Sequence, residues 1–207
     1  MKTVIFDFDG TLADSVSIAL RLYNDFSDVY GVEQINGIDE ARQLLSLGYA
    51  KAMKAKKITP LKLITLVRLA SKEMPKHMPE VVPYSGIVET VSKLKSQGYG
   101  IGVLTSNQEA IVRGFLSAHK FPEFDFVVSE KTLFRKDKAL KKIIKKYKLS
   151  TEEIVFVGDE PRDMQAAAKL GVKSVGVTWG LAGVEGFGKS QPDILVNSAS
   201  EIVQAIG

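Results

Sequence analysis

The stretch Thr3-Val4-Ile5-Phe6-Asp7-Phe8-Asp9-Gly10-Thr11-Leu12 decides the fold. A short apolar run ends abruptly in two carboxylates, Asp7 and Asp9, separated by one residue. Such a run suits a strand covered on both faces of a parallel sheet. Two carboxylates at its C-terminal edge repel one another, and neither gains from burial. The arrangement makes sense if a divalent cation offsets the repulsion. Ligands of open α/β sheets also sit at the carboxyl ends of the strands. Gly10 would let the backbone approach a ligand closely. Asp-Gly is equally a common turn pair, so the segment needs support from the rest of the chain.

Similar apolar runs recur at Gly100–Leu104, Phe124–Val128, Glu153–Val157, Val172–Val177 and Ile194–Val196. Helical patterns lie between them. In residues 86–97, Ile87, Val91 and Leu94 form one stripe, and Gly98 follows as a stop. Ser106 and Glu109 have capping-box spacing before the next helix. Another helix is expected to start near Pro161 and end at Gly171. Strands alternating with helices imply an α/β fold, doubly wound on a mostly parallel sheet. Residues 15–81 break the alternation and read as helices over 15–30, 38–57 and 60–74, with an exit through Pro75, Pro79 and Pro83. Thr59-Pro60 is a helix start, with Thr as cap and Pro at the first position. The expected organisation is a core of residues 1–14 and 82–207, with a small helical domain of residues 15–81 inserted after the first strand.

Three further signals follow later strands. Thr105-Ser106-Asn107 brings hydroxyls and backbone N–H groups to a helix start, an arrangement that binds anions and also caps helices. Phe134-Arg135-Lys136-Asp137-Lys138 offers a lysine at a loop-to-helix junction. Lys136 is preferred to Lys138 because it lies further before the helix. Leu140, Ile143, Ile144 and Tyr147 then share one helical face, and Lys141, Lys142, Lys145, Lys146 and Lys148 lie mostly off it as a solvated surface. Gly158-Asp159-Glu160-Pro161-Arg162-Asp163 again sets carboxylates at a strand end. Asp163 falls in a first helical turn, where the helix dipole favours it.

The four segments, in this order and at one sheet edge, resemble the haloacid dehalogenase superfamily of phosphohydrolases, and the layout looks like its phosphoglycolate phosphatase-like branch. The helical insert resembles that superfamily's cap. The resemblance implies that Asp7 is the nucleophile and that Asp9 acts as general acid and then base. It implies that Asp7, the Asp9 backbone carbonyl and Asp159 hold Mg²⁺, with Asp163 in support. Thr105, helped by Ser106, would bind the phosphoryl oxygens, and Lys136 would stabilise the transferring charge. Phosphoryl transfer needs positioning and charge stabilisation above all. Dehalogenases of the superfamily lack an acid at the Asp9 position, so its presence implies phosphate esters. Two departures remain: Lys136 is not followed by the proline common in this branch, and both Glu160 and Asp163 follow Asp159.

Composition fits that reading. Of 207 residues, 45% are apolar and 25% charged, as in an ordinary folded protein. The absence of cysteine excludes disulfides, cysteine-based zinc sites and a thiol nucleophile. No apolar run has the length of a membrane span or a signal segment, and a cytoplasmic location is expected. The charge of +4 suits anionic small molecules and does not by itself argue for nucleic acid. The insert is visibly basic, and a cation such as Arg42 or Arg68 is a candidate for a second anionic group on the substrate. The expected partner is a small phosphate ester closed in beneath the insert. A sugar phosphomutase and a non-catalytic binding module on the same fold stay open, as do monomer and homodimer.

Overall fold

The computed structural model describes residues 2–130 and 135–207. Phe134 of the lysine segment and Met1 lie outside them. The elements run β1 (Thr3–Phe6), α1 (Val16–Val29), α2 (Gly37–Ser46), α3 (Tyr49–Ala55), α4 (Pro60–His77), α5 (Ile87–Ser96), β2 (Gly100–Thr105), α6 (Glu109–Ala118), β3 (Phe126–Ser129), α7 (Lys136–Tyr147), β4 (Ile154–Gly158), α8 (Pro161–Ala168), β5 (Lys173–Val177), β6 (Ile194–Val196) and α9 (Ala199–Ile206). The strands form one parallel sheet in the order β3-β2-β1-β4-β5-β6. The order reverses beside β1, which is where open α/β sheets bind ligands.

The strands are apolar because both faces are covered. Successive side chains point to opposite sides. Val4 and Phe6 therefore join one buried cluster with residues of α1, α5, α6 and α9, while Ile5 joins the other with residues of α7 and α8. Register pairs Phe6 with Val103 on one side and with Val157 on the other. The ends of β1, β2 and β4 thus arrive at one edge together. Among the described residues, no helix is long and apolar enough to cross a membrane.

Helices α1 to α4 lie between β1 and α5, and two adjacent strands of chain join them to the sheet. Asp14 N donates to Val82 O at 2.9 Å, Tyr84 N donates to Leu12 O at 3.2 Å, and Ala13 forms an antiparallel bridge with Pro83. The insert has a small apolar cluster of its own, built on Val32, Ile58 and Leu66. The base of α1, through Ile18 and Leu22, belongs to the main core.

Several local expectations need correction. The helix expected over 38–57 is two helices, α2 and α3, because Gly48 between them takes a φ of +82°. The helix expected to end at 74 runs on to His77 with Pro75 inside it, and the burial of Met74 against the main core holds that turn in place. Ser106 does not cap α6. The Thr105 hydroxyl accepts from Asn107 N at 2.9 Å, and this local turn defers the helix start, so Gln108 is the N-cap. Phe124, Glu153 and Val172 lie just outside their strands, Glu153 in a 3₁₀ turn. The Thr59 cap is as expected, its hydroxyl accepting from Lys62 N at 3.3 Å.

Leu66 is fully buried inside the insert. Leu66→Ala should cost about 2–5 kcal/mol of stability. Hydrogen exchange should locate the loss in α1 and α4 and leave protection in β1 and β4 unchanged.

Candidate active site

Two strand ends build the centre. Asp7 follows β1 and its N–H donates to Val157 O at 2.8 Å, which ties it to β4. Alternation then sends Phe8 into the core, where it meets Phe115 edge-on at 5.1 Å, and returns Asp9 to the side of Asp7. The chain turns at once: the Phe8 carbonyl accepts from the N–H groups of Leu12 at 2.9 Å and Ala13 at 3.0 Å. Gly10 sits in that turn at φ +76°, and a Cβ on it would run into the Asp159 carboxylate. The close approach read from Gly10 is therefore to another carboxylate of the site. Asp159 is fixed at both oxygens, Oδ1 by the Thr11 hydroxyl at 3.0 Å and Oδ2 by Leu181 N at 2.8 Å.

Asp163 comes from the first turn of α8. It forms a capping box with Glu160, its Oδ2 accepting from Glu160 N at 3.1 Å. Its Oδ1 pairs with the Lys136 ammonium, which also meets Asp7 Oδ2 at 2.5 Å. Lys136 is the first residue of α7 and is buried, its ammonium 5.6 Å from the centre of the Phe156 ring. Lys138 is exposed, so the lysine at the site is Lys136. Glu160 turns instead to Arg162 and Tyr49, so Asp163 is the carboxylate that joins Asp7 and Asp159.

Oxygens of Asp7, Asp159 and Asp163 lie within 4.8 Å of one another. Burial, and then the charges of Glu160, Asp7 and Asp163, hold the Asp159 carboxyl well above its usual range. Burial likewise raises Asp163 to about 6, although Lys136 opposes the shift. This much repulsion between buried carboxylates is what a divalent cation removes. The donors are all hard oxygens, which suits Mg²⁺. The Asp9 carboxylate stands apart from the cluster and accepts the Ser15 hydroxyl at 2.8 Å. Ser15 is the N-cap of α1 yet makes no capping bond with its side chain, since its hydroxyl serves Asp9. Burial raises Asp9 to about 6, while the Ser15 hydrogen bond lowers it.

Thr105 ends β2, one strand over from Asp7, and is buried with its hydroxyl near the edge turn. Ser106 is exposed and makes no side-chain contact with the cluster among the described residues. Of the insert's basic residues, Arg42 reaches the sheet edge and donates to Gly180 O at 3.3 Å, whereas Arg68 is exposed on α4. Lys56, Lys57 and Lys76 are paired with Glu40, Glu33 and Glu73 inside the insert. Sequence reasoning missed Thr11, Ser15, Gly180 and Tyr49. Each acts on a partner distant in sequence or in place of a commoner local role, and carries no pattern of its own.

Gly10→Ala should abolish activity, because the new Cβ needs the space of the Asp159 carboxylate and a φ that alanine rarely adopts. Ser15→Ala removes a donor that favours the charged form of Asp9. The Asp9 proton is then lost at higher pH, so the limb of the kcat–pH profile set by Asp9 should move upward, as steady-state kinetics would register.

A family model described as haloacid dehalogenase-like hydrolase matches residues 4–177. The phosphoglycolate phosphatase of Synechococcus elongatus is 27% identical over 207 residues, covering 100% of this chain and 97% of that protein. The pyrophosphatase PpaX of Bacillus cereus is 27% identical over 208 residues, covering 98% of this chain and 95% of that protein. A solved structure from Clostridium acetobutylicum, described as a predicted phosphatase, superposes with a TM-score of 0.81 at 22% identity, over 99% of this chain and 97% of that one, and shows the shared fold. With a family match across most of its length and the carboxylate cluster at the shared edge of β1 and β4, the chain belongs to the haloacid dehalogenase-like hydrolases.

Proposed function

We propose that this hydrolase is a Mg²⁺-dependent phosphatase that hydrolyses small organic phosphate monoesters through an aspartyl-phosphate on Asp7. The observation that carries the reading is the buried contact of Asp7 Oδ2 with the Lys136 ammonium at 2.5 Å, beside the carboxylates of Asp159 and Asp163. A nucleophilic carboxylate splits hydrolysis into two displacements. The two relatives named for phosphoglycolate and pyrophosphate support a small anionic phosphate as substrate.

In the first displacement an Asp7 oxygen attacks phosphorus and the ester oxygen leaves with a proton from Asp9. In the second, Asp9 takes a proton from water as the water attacks the phosphorus of the aspartyl-phosphate. Inorganic phosphate leaves and the Asp7 carboxylate is restored. Asp9 suits both steps, because a carboxyl raised to about 6 holds and releases its proton near neutral pH. Asp7 is aimed by two contacts, Phe8 N on Oδ1 at 2.7 Å and Lys136 on Oδ2. Lys136 neutralises the charge of the transferring group, and Thr105 at the end of β2, with the neighbouring Ser106, binds phosphoryl oxygens. Asp7, Asp159, Asp163 and the Asp9 carbonyl would hold Mg²⁺, which when bound supplies positive charge to the phosphoryl oxygens. The helices of residues 15–81 act as a cap domain over this edge, excluding water and bulky phosphoproteins.

Phosphate release from a panel of small esters, with Mg²⁺ and with a chelator, tests the reading. Chelation should abolish release. Asp7→Asn should lower kcat by about three orders of magnitude or more, and Asp9→Asn by about 10²–10⁴-fold. Isomerised sugar phosphate without free phosphate would overturn hydrolysis in favour of a mutase.

A further inference from the structure

Glu160 follows Asp159, yet its carboxylate does not join the metal-type cluster. It is half-buried and fully engaged. It accepts from the backbone of the first turn of α8, Oε1 pairs with Arg162, and Oε2 accepts the Tyr49 hydroxyl at 2.9 Å. Tyr49 belongs to the insert. It is the first residue of α3, directly after the Gly48 break, and that break turns the chain so that the phenol reaches the sheet edge. Burial and the facing Glu160 carboxylate keep the phenol protonated and so a donor. Glu160 is in turn a structural neighbour of the chemistry: its capping box with Asp163 orients the carboxylate that pairs with Lys136, and Lys136 pairs with Asp7. A continuous set of hydrogen bonds and ion pairs therefore runs from the insert to the proposed nucleophile.

We propose that Tyr49 is a positioning residue of this site, a latch on the insert whose hydroxyl completes the coordination of Glu160 and so fixes Arg162 and the start of α8 only while the insert is seated. The proposal rests on the phosphatase reading for its kinetic consequence alone. With the insert lifted, the half-buried Glu160 carboxylate exchanges the Tyr49 hydroxyl for water, and the net gain of the direct charge-assisted bond favours the seated state. Only the seated fraction binds substrate productively, so weakening the latch raises the apparent dissociation constant by the loss in that fraction. Bound substrate restores the seated state, and the chemical step then proceeds nearly as before.

Tyr49→Phe keeps the ring and removes the donor, and its thermal unfolding checks that the fold is kept. Two readouts decide. Trp179 is the chain's single tryptophan and lines a cavity of about 450 Å³ together with Ser17, Leu20 and Ile38 of the insert. Lifting the insert should expose it, so acrylamide should quench Trp179 fluorescence of the substrate-free variant more than of the wild type. With the best ester, KM should rise about tenfold while kcat stays within about twofold. In a Glu160→Gln background Tyr49→Phe should add much less than in the wild type, because the pair shares one interaction. Unchanged quenching, an unchanged KM, or effects that simply multiply in the double variant would each overturn the latch. If the wild type turns over no ester, the phosphatase reading fails instead, and the quenching result alone decides the latch.

Discussion

The repulsion among Asp7, Asp159 and Asp163, buried at the joined ends of β1 and β4, is the constraint on which the rest depends. Carboxylates out of water this close to one another destabilise a fold unless they are compensated. Much of the surrounding structure supplies that compensation. Lys136 stands at the start of α7 with its ammonium over the Phe156 ring. Thr11 and the Leu181 N–H take up the oxygens of Asp159. Glycine stands where any side chain would collide with them: a Cβ on Gly180 would meet both the Gly10 carbonyl and Asp159. Carboxylates that repel one another in this way are also a set of oxygens that could hold a cation.

The same edge explains how the helical insert is attached. The two connecting stretches pair side by side at Ala13 with Pro83 and at Asp14 with Val82, immediately beyond the turn that carries Asp9 and Gly10. Two polar contacts tie the insert to the sheet edge, Arg42 to Gly180, which lies against the Gly10 carbonyl, and Tyr49 to Glu160. Ser15 joins the two functions in one residue. It is the N-cap of α1, but its hydroxyl goes to Asp9 and leaves the helix start without a side-chain cap.

The sequence by itself determined the sheet and its functional edge. Continuous apolar runs marked all six strands to within two residues, because strands buried on both faces must be apolar throughout. Carboxylates, hydroxyls and a lysine following those runs stand out for the same reason, since polar groups at a buried strand end need a purpose. Tertiary structure alone decided which members of each segment meet. The sequence preferred Lys136 to Lys138 by its place before the helix and left Glu160 and Asp163 open; both lysines fall within α7, and the members of each pair separate when α7 and α8 pack and bury Lys136 and Asp163 beside Asp7. The contact of Tyr49 with Glu160 spans 111 positions and that of Thr11 with Asp159 spans 148. Periodicity and capping chemistry act over a few residues of chain, so contacts made across such separations leave no local trace and exist only once the sheet has brought the strand ends together.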